Sequence, residues 1–299
     1  MLIFRRIAAW FTALIAFFSA VFGGGAGIYR NNHVCLSLPY GAHERQVYDL
    51  YLPKSVEGET GLVLLLHAGG WVMGDKDAYR GELPFWTEKG YAAAAMNYRF
   101  LSREDGVGMR EILDDITSAL AAIKKEAAKK GVDITRVVLS GGSAGAHLSL
   151  LYAYSCMEEA PVKPVAAVSY CGPAVLWDEE FIFHNEFGNY DPAFMADLLS
   201  KLTKVEFTPE TVDAALPALE LYSPISHVNE NTVPTLLFHG AKDTVVPYHT
   251  VAALEEKLTA YGVPHEMITY PESGHALDDP ECSERARELF VRYVDTYLG

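Results

Sequence analysis

Five residues, Gly141-Gly142-Ser143-Ala144-Gly145, constrain this chain most, because an extended run (TRVVLS) leads into them and an apolar helical run (AHLSLLYAY) leads out. A serine at a sharp strand-to-helix turn sits on strained backbone, and small residues two places before and two places after it are needed to avoid collision. Gly141 and Gly145 occupy those places. The turn presents the Ser143 hydroxyl at the end of a sheet, and the helix that follows aims the positive end of its dipole at the same spot. Phosphate-loop readings fail, since the chain has neither G-x-G-x-x-G nor G-K-[ST].

The pattern on either side is that of an α/β chain. Val47 to Leu52 alternates as a half-buried strand does, whereas Gly61 to Leu66 (GLVLLL) is the continuous apolar run of a strand covered on both faces. Further strands are predicted at Tyr91 to Tyr98, Thr135 to Leu139, Val165 to Tyr170, Thr235 to Phe238 and Glu266 to Tyr270. Between and after them, helices are predicted at Met109 to Lys130, Ala144 to Tyr154, Val251 to Tyr261 and Ser283 to Tyr297. This alternation predicts a mostly parallel central sheet with helices on both faces. The rhythm stops between about Leu176 and Val233, a stretch rich in aromatic and acidic residues and too long for a plain loop. A segment inserted there is expected to form a cap over the strand ends, where ligands bind. With 299 residues, half of them hydrophobic, the chain can bury a full core without disulfides or a structural metal.

A serine hydroxyl is a weak nucleophile, so it needs a base within hydrogen-bond reach and a third group to orient that base. Of ten histidines, His275 follows the last predicted strand in Glu272-Ser273-Gly274-His275, which brings it to the carboxyl edge of the sheet beside the turn. His33 and His43 precede the domain, His147 lies along the helix after the serine, His184 and His227 fall in the insertion, and His249 and His265 flank helices. His239, ending a strand, is the runner-up. The acid is expected to be Asp243, just past the strand TLLF, with Asp278 and Asp279 as alternatives that follow the histidine closely. The chain order is then Ser143, Asp243, His275. Backbone N–H groups of Gly69 and Gly70, in His67-Ala68-Gly69-Gly70-Trp71, would join that of Ala144 as an oxyanion hole. Trp71 is expected beside that hole, and Trp177 and Phe181 on the rim of a substrate pocket.

The charge balance, 24 basic against 39 acidic residues for a net −15, opposes a nucleic-acid partner. The densest basic run, Lys124, Lys125, Lys129 and Lys130, reads as a solvated helix face. Cys35, Cys156, Cys171 and Cys282 form no C-x-x-C pair and show no zinc-ligand spacing, so no metal is expected. Residues 1–29 read as an export leader: Arg5 and Arg6 precede the apolar run Ile7 to Phe22, and a glycine-rich stretch follows. Sixteen apolar residues span about 24 Å of helix, short of the ~30 Å bilayer core, which favours cleavage near Ala26. Extended through Tyr29, the run is long enough to serve instead as an uncleaved membrane anchor. An exported protein, periplasmic or extracellular, is expected either way.

With these residues in place, the chain resembles the α/β-hydrolase superfamily over about residues 35–299. The nearest groups are esterases of the hormone-sensitive-lipase type and the feruloyl and acetyl-xylan esterase-like (BD-FAE-like) and kynurenine-formamidase-like groups. The stretches that carry the resemblance are YDLYLP, HAGGW, NYR, GGSAGAHL, SPISHV, HGAKDTVVP and SGH. One departure is Ala68, where such chains usually have a first glycine. The resemblance implies a cofactor-free serine carboxylesterase acting on short-chain or sugar-borne acyl esters, of acetyl or feruloyl type. A serine peptidase of the prolyl-oligopeptidase kind shares the HGxxDxxVP pattern but usually carries a further domain. A silent hydrolase fold used for binding would not need to keep all three triad residues.

Overall fold

The computed structural model of the chain describes residues 33–54, 58–184, 192–211, 214, 216–278 and 280–299. The expected leader lies outside them, as does Asp279. Eight strands build one sheet: β1 (Val34–Pro39), β2 (Val47–Tyr51), β3 (Gly58–Leu66), β4 (Ala92–Met96), β5 (Val132–Gly142), β6 (Lys163–Tyr170), β7 (Thr235–Gly240) and β8 (His265–Tyr270). Their spatial order is β1-β2-β4-β3-β5-β6-β7-β8, and only β2 runs against the rest. The sequence had not marked β1, an edge strand whose side chains are mostly half-exposed or exposed and so carry no clear alternation.

Seven helices flank the sheet among the described residues: α1 (Leu83–Glu88), α2 (Met109–Ala128), α3 (Ala144–Ser155), α4 (Pro192–Thr203), α5 (Leu216–Leu221), α6 (Tyr248–Ala260) and α7 (Pro280–Leu298). Successive side chains of a strand point to opposite faces, and β3 divides accordingly. Leu62, Leu64 and Leu66 pack with Ile112 and Ile116 of α2, Leu148 of α3 and Leu254 of α6. Val63 and Leu65 face Leu83 and Trp86 of α1 and Phe290 and Val294 of α7. Both faces being covered, the central strands are apolar throughout rather than alternating.

Register decides where the chemistry lies. Leu66 pairs with Gly141, Gly142 with Tyr170, Tyr170 with Phe238, and Gly240 with Tyr270. The carboxyl ends of β3, β5, β6, β7 and β8 therefore form one edge, and the loops after β3, β5, β7 and β8 all emerge there. Between β6 and β7 the chain leaves the sheet, makes a π-helical turn at Glu180–His184, then α4, α5 and a 3-10 turn at Pro224–His227. Phe181, Leu199 and Leu219 of this segment join the core on the α3 face. Lys204 pairs with Glu111 at the start of α2, and Arg103 pairs with Asp197 and Glu206, which tie the segment to the body.

Candidate active site

The strand-to-helix turn is strained as its sequence requires: Ser143 has φ 53° and ψ −119°, and its N–H donates to Tyr170 O at 2.8 Å. A Cβ on Gly141 would lie 2.4 Å from Leu66 O, and one on Gly145 only 1.9 Å from the same oxygen. The glycines thus let the end of β3 cross directly against the turn, and the loop that follows β3 starts beside the serine. In that loop Gly69 has φ 142° and Gly70 φ 52°. Gly69 O accepts from Val72 N and Met73 N, and a Cβ on Gly69 would sit 1.8 Å from Met73 O. Among the described residues, the N–H groups of Gly69, Gly70 and Ala144 donate to no backbone carbonyl, which leaves them available to a ligand oxygen.

The loop is anchored by a group of residues that the sequence analysis did not single out. His67 Nδ1 donates to Ala68 O at 2.8 Å, so its Nε2 accepts from Arg45 Nη2 at 3.2 Å. Arg45 also donates to Gly74 O and Tyr98 O, with its guanidinium 3.6 Å from the Phe100 ring centroid. The His67 ring stacks on Tyr98 at 4.1 Å. Burial lowers the His67 pKa to about 4, against the opposing hydrogen bond to Ala68 O, so the ring is neutral at ordinary pH.

The three residues expected to act together do meet. Ser143 Oγ lies 3.0 Å from His275 Nε2, and His275 Nδ1 donates to Asp243 Oδ2 at 2.7 Å. Asp243 Oδ1 accepts from Val245 N at 2.9 Å and Val246 N at 2.8 Å. Burial pushes this carboxyl up, but the His275 charge and the hydrogen bonds from His239 and His275 outweigh it and hold the group well below the usual carboxylate range. A carboxylate there fixes the imidazole tautomer with its proton on Nδ1, which leaves Nε2 able to take the serine proton. Asp278, by contrast, is exposed, and Asp243 occupies the Nδ1 side of the ring. Gly240 makes the approach possible, because a Cβ on it would lie 2.4 Å from both Ser273 O and Gly274 O. Lys242 N donates to Ser273 O, so the loop bearing the histidine is laced to the one bearing the acid.

The remaining candidates are placed as follows. Trp71 and Phe181, expected at the oxyanion hole and the pocket rim, are 3% and 6% exposed. The Trp71 indole packs edge-on against His147 at 5.1 Å, and Phe181 sits in the π-helical turn with its N–H donating to Asp178. Trp177 keeps a half-exposed face. His147 is wholly buried, donating through Nε2 to Tyr222 O. His239 bonds to Val246 O and approaches Asp243 rather than the serine. Cys171, at the end of β6, comes together with His239 and Asp243 within 4.8 Å. These are metal-ligand types that no local spacing could reveal, because they arrive from two different strand ends. The Asp243 oxygens in that group already accept the hydrogen bonds described above.

A sheet with a single reversed strand, a serine elbow after β5, and an acid and a histidine after β7 and β8 define an α/β-hydrolase fold. Residues 48–258 match the BD-FAE family, and the chain belongs to it. Among curated proteins it is 24% identical to isoprenylcysteine alpha-carbonyl methylesterase ICME of Arabidopsis thaliana, covering 84% of this chain and 59% of that protein. It is 26% identical to esterase LipC of Mycobacterium tuberculosis, over 80% of this chain and 59% of that one. The chain thus spans less than two thirds of the length of these relatives. Its fold is similar to that of an inhibited esterase B from Lactobacillus rhamnosis, with TM-score 0.72 at 21% identity, covering 99% of this chain and 97% of that one.

Proposed function

We propose that the protein is a serine carboxylesterase that works through an acyl-enzyme. The observation that carries this reading is the unbroken relay from Ser143 Oγ through His275 to Asp243, on a strained turn beside unpaired backbone N–H groups. Ser143 Oγ attacks the ester carbonyl as its proton passes to His275 Nε2, and the carbonyl oxygen takes the developing charge toward the N–H groups of Gly69, Gly70 and Ala144. His275 returns the proton to the leaving alcohol. Water then repeats the sequence on the acyl-enzyme, regenerating the serine and releasing the acid.

The substrate class is a short-chain or sugar-borne acyl ester of acetyl or feruloyl type, supported by the family to which the chain belongs. The names of the curated relatives add methyl esters as a class to include in any panel. The segment from about Leu176 to Val233 is the cap over this site, with Trp177 offering a half-exposed aromatic face to the substrate. The leader over residues 1–29 exports the enzyme.

A fluorophosphonate probe tests the assignment directly. It should modify the peptide that contains Ser143, and Ser143→Ala should lose both the label and turnover of acetylated sugars, feruloyl esters and nitrophenyl esters. Turnover in that variant above about a thousandth of wild type would mean that another nucleophile operates.

A further inference from the structure

Asp243 holds more partners than a triad needs. His239, fully buried in β7, lies with its Nε2 3.0 Å from Val246 O and 3.3 Å from Asp243 Oδ2. A carbonyl and a carboxylate can only accept, so Nε2 must carry a proton, which it donates to Val246 O with Asp243 Oδ2 close beside it. The other nitrogen, Nδ1, is buried and meets no partner among the described residues. A second proton there would be an unsatisfied donor, so the neutral Nε2–H ring is the form that fits. Val246 closes the circuit: its N–H donates to Asp243 Oδ1 while its carbonyl accepts from His239. The acid therefore faces two imidazoles on one oxygen and two backbone N–H groups on the other.

We infer that His239 is a positioning residue for the proposed reaction, a second imidazole donor that holds Asp243 Oδ2 in line with His275 and takes up part of its negative charge. The inference rests on the triad reading above. Its consequence is electrostatic: a carboxylate that shares its charge with another donor attracts the His275 proton less strongly than one that faces His275 alone. Removing the His239 donor should make the acid a stronger partner and shift protonation of His275 to higher pH. The other groups facing this cluster are the Cys171 thiol from β6 and the Tyr248 ring at 6.0 Å from α6, whose hydroxyl bonds Thr269. Lys242, next to Asp243, is turned to solvent in a pair with Glu272.

The test is the pH profile of kcat/KM for wild type, His239→Gln, which keeps an N–H donor, and His239→Leu, which has none. In the leucine variant the acid-side midpoint should rise by about half a pH unit or more, while the glutamine variant stays near wild type. His239→Met, unbranched and also donor-free, supplies the same comparison should leucine not fold. An unmoved midpoint in a folded donor-free variant, with only kcat lowered, would reduce His239 to packing and overturn the inference. Failure of both donor-free variants to fold would do the same by making the residue structural. If Ser143→Ala retains activity, the triad reading itself fails. If Ser143→Ala is inactive and the donor-free midpoint does not move, only the role of His239 is lost.

Discussion

At the scale of single residues, the site depends on a tautomer. Asp243 keeps the His275 proton on Nδ1, so Asp243→Asn, whose amide can present a donor to the same nitrogen, should favour the wrong tautomer and cut kcat by roughly 10³–10⁴ while leaving the fold intact. Steady-state turnover beside a thermal melt checks both halves. If Asp243→Asn is nearly silent and Asp278→Asn is not, the acid has been misassigned. The two loop glycines should respond differently. A methyl on Gly69 would overlap Met73 O, whereas one on Gly70 meets nothing within 4 Å. Gly69→Ala should therefore displace the loop and its donors. Gly70→Ala keeps its N–H in place and pays only left-handed backbone strain of about 1 kcal/mol. Turnover of a nitrophenyl ester should fall by at least about 100-fold in the first variant and far less in the second; equal losses would remove Gly69 from its role in shaping the loop.

At the scale of elements, close approaches of backbone decide whether those residues meet. The β7 end and the His275 loop touch through Gly240, so Gly240→Ala should separate Asp243 from His275 and abolish turnover, with a stability loss of about 1–3 kcal/mol from overpacking. Gly262→Ala is the control for a methyl that meets no neighbour: its φ is 66° and a Cβ there has nothing within 4 Å, so it should cost about 1 kcal/mol in a denaturant titration and leave kcat unchanged. Retained turnover in Gly240→Ala would show that the two loops are not coupled through this contact. Much at this scale was legible in the chain. Buried central strands appear as apolar runs because helices cover both faces, and the serine turn declares itself through small residues flanking one serine. What was not legible is what only folding brings together. In the sequence His239 reads only as the runner-up base, and nothing marks Gly240 or Arg45, because partners such as Ser273 and Tyr98 lie tens of residues away. Trp71 and Phe181 are candidates by position and composition, which do not tell how deeply an aromatic is buried. The helix α1 is six residues long, too short for a period to show.

At the scale of the whole molecule, buried ionisable groups on opposite faces of the sheet pull its pH dependence in opposite directions. On the α3 face His147 is lowered to about 4 by burial, against its bond to Tyr222 O, and His67 is lowered to a similar value. In the unfolded chain such rings take a proton below about pH 6.5, whereas in the folded protein they resist until about pH 4. Between those values the unfolded state binds more protons, so these two rings make stability rise with pH, by roughly 3 kcal/mol each across the window. Asp243 adds its own loss only as pH falls below the ordinary carboxylate value of 3.8. On the α1 face Glu82 does the reverse. Burial raises its carboxyl well above 4.5, outweighing the Trp86 hydrogen bond at 3.0 Å and the Arg287 charge. The folded protein keeps that proton where the unfolded chain has lost it, so stability falls as pH rises above 4.5. The wild-type curve between pH 4.5 and 6.5 is the difference of these slopes, and variants separate them. His147→Gln should flatten the rise, and Glu82→Gln, which keeps the shape but cannot ionise, should steepen it. Urea unfolding at half-unit pH steps measures both. Parallel curves for wild type and Glu82→Gln would mean that Glu82 is ionised in the folded protein, its charge met by Arg287, and that the α1 face carries an ion pair rather than a buried acid.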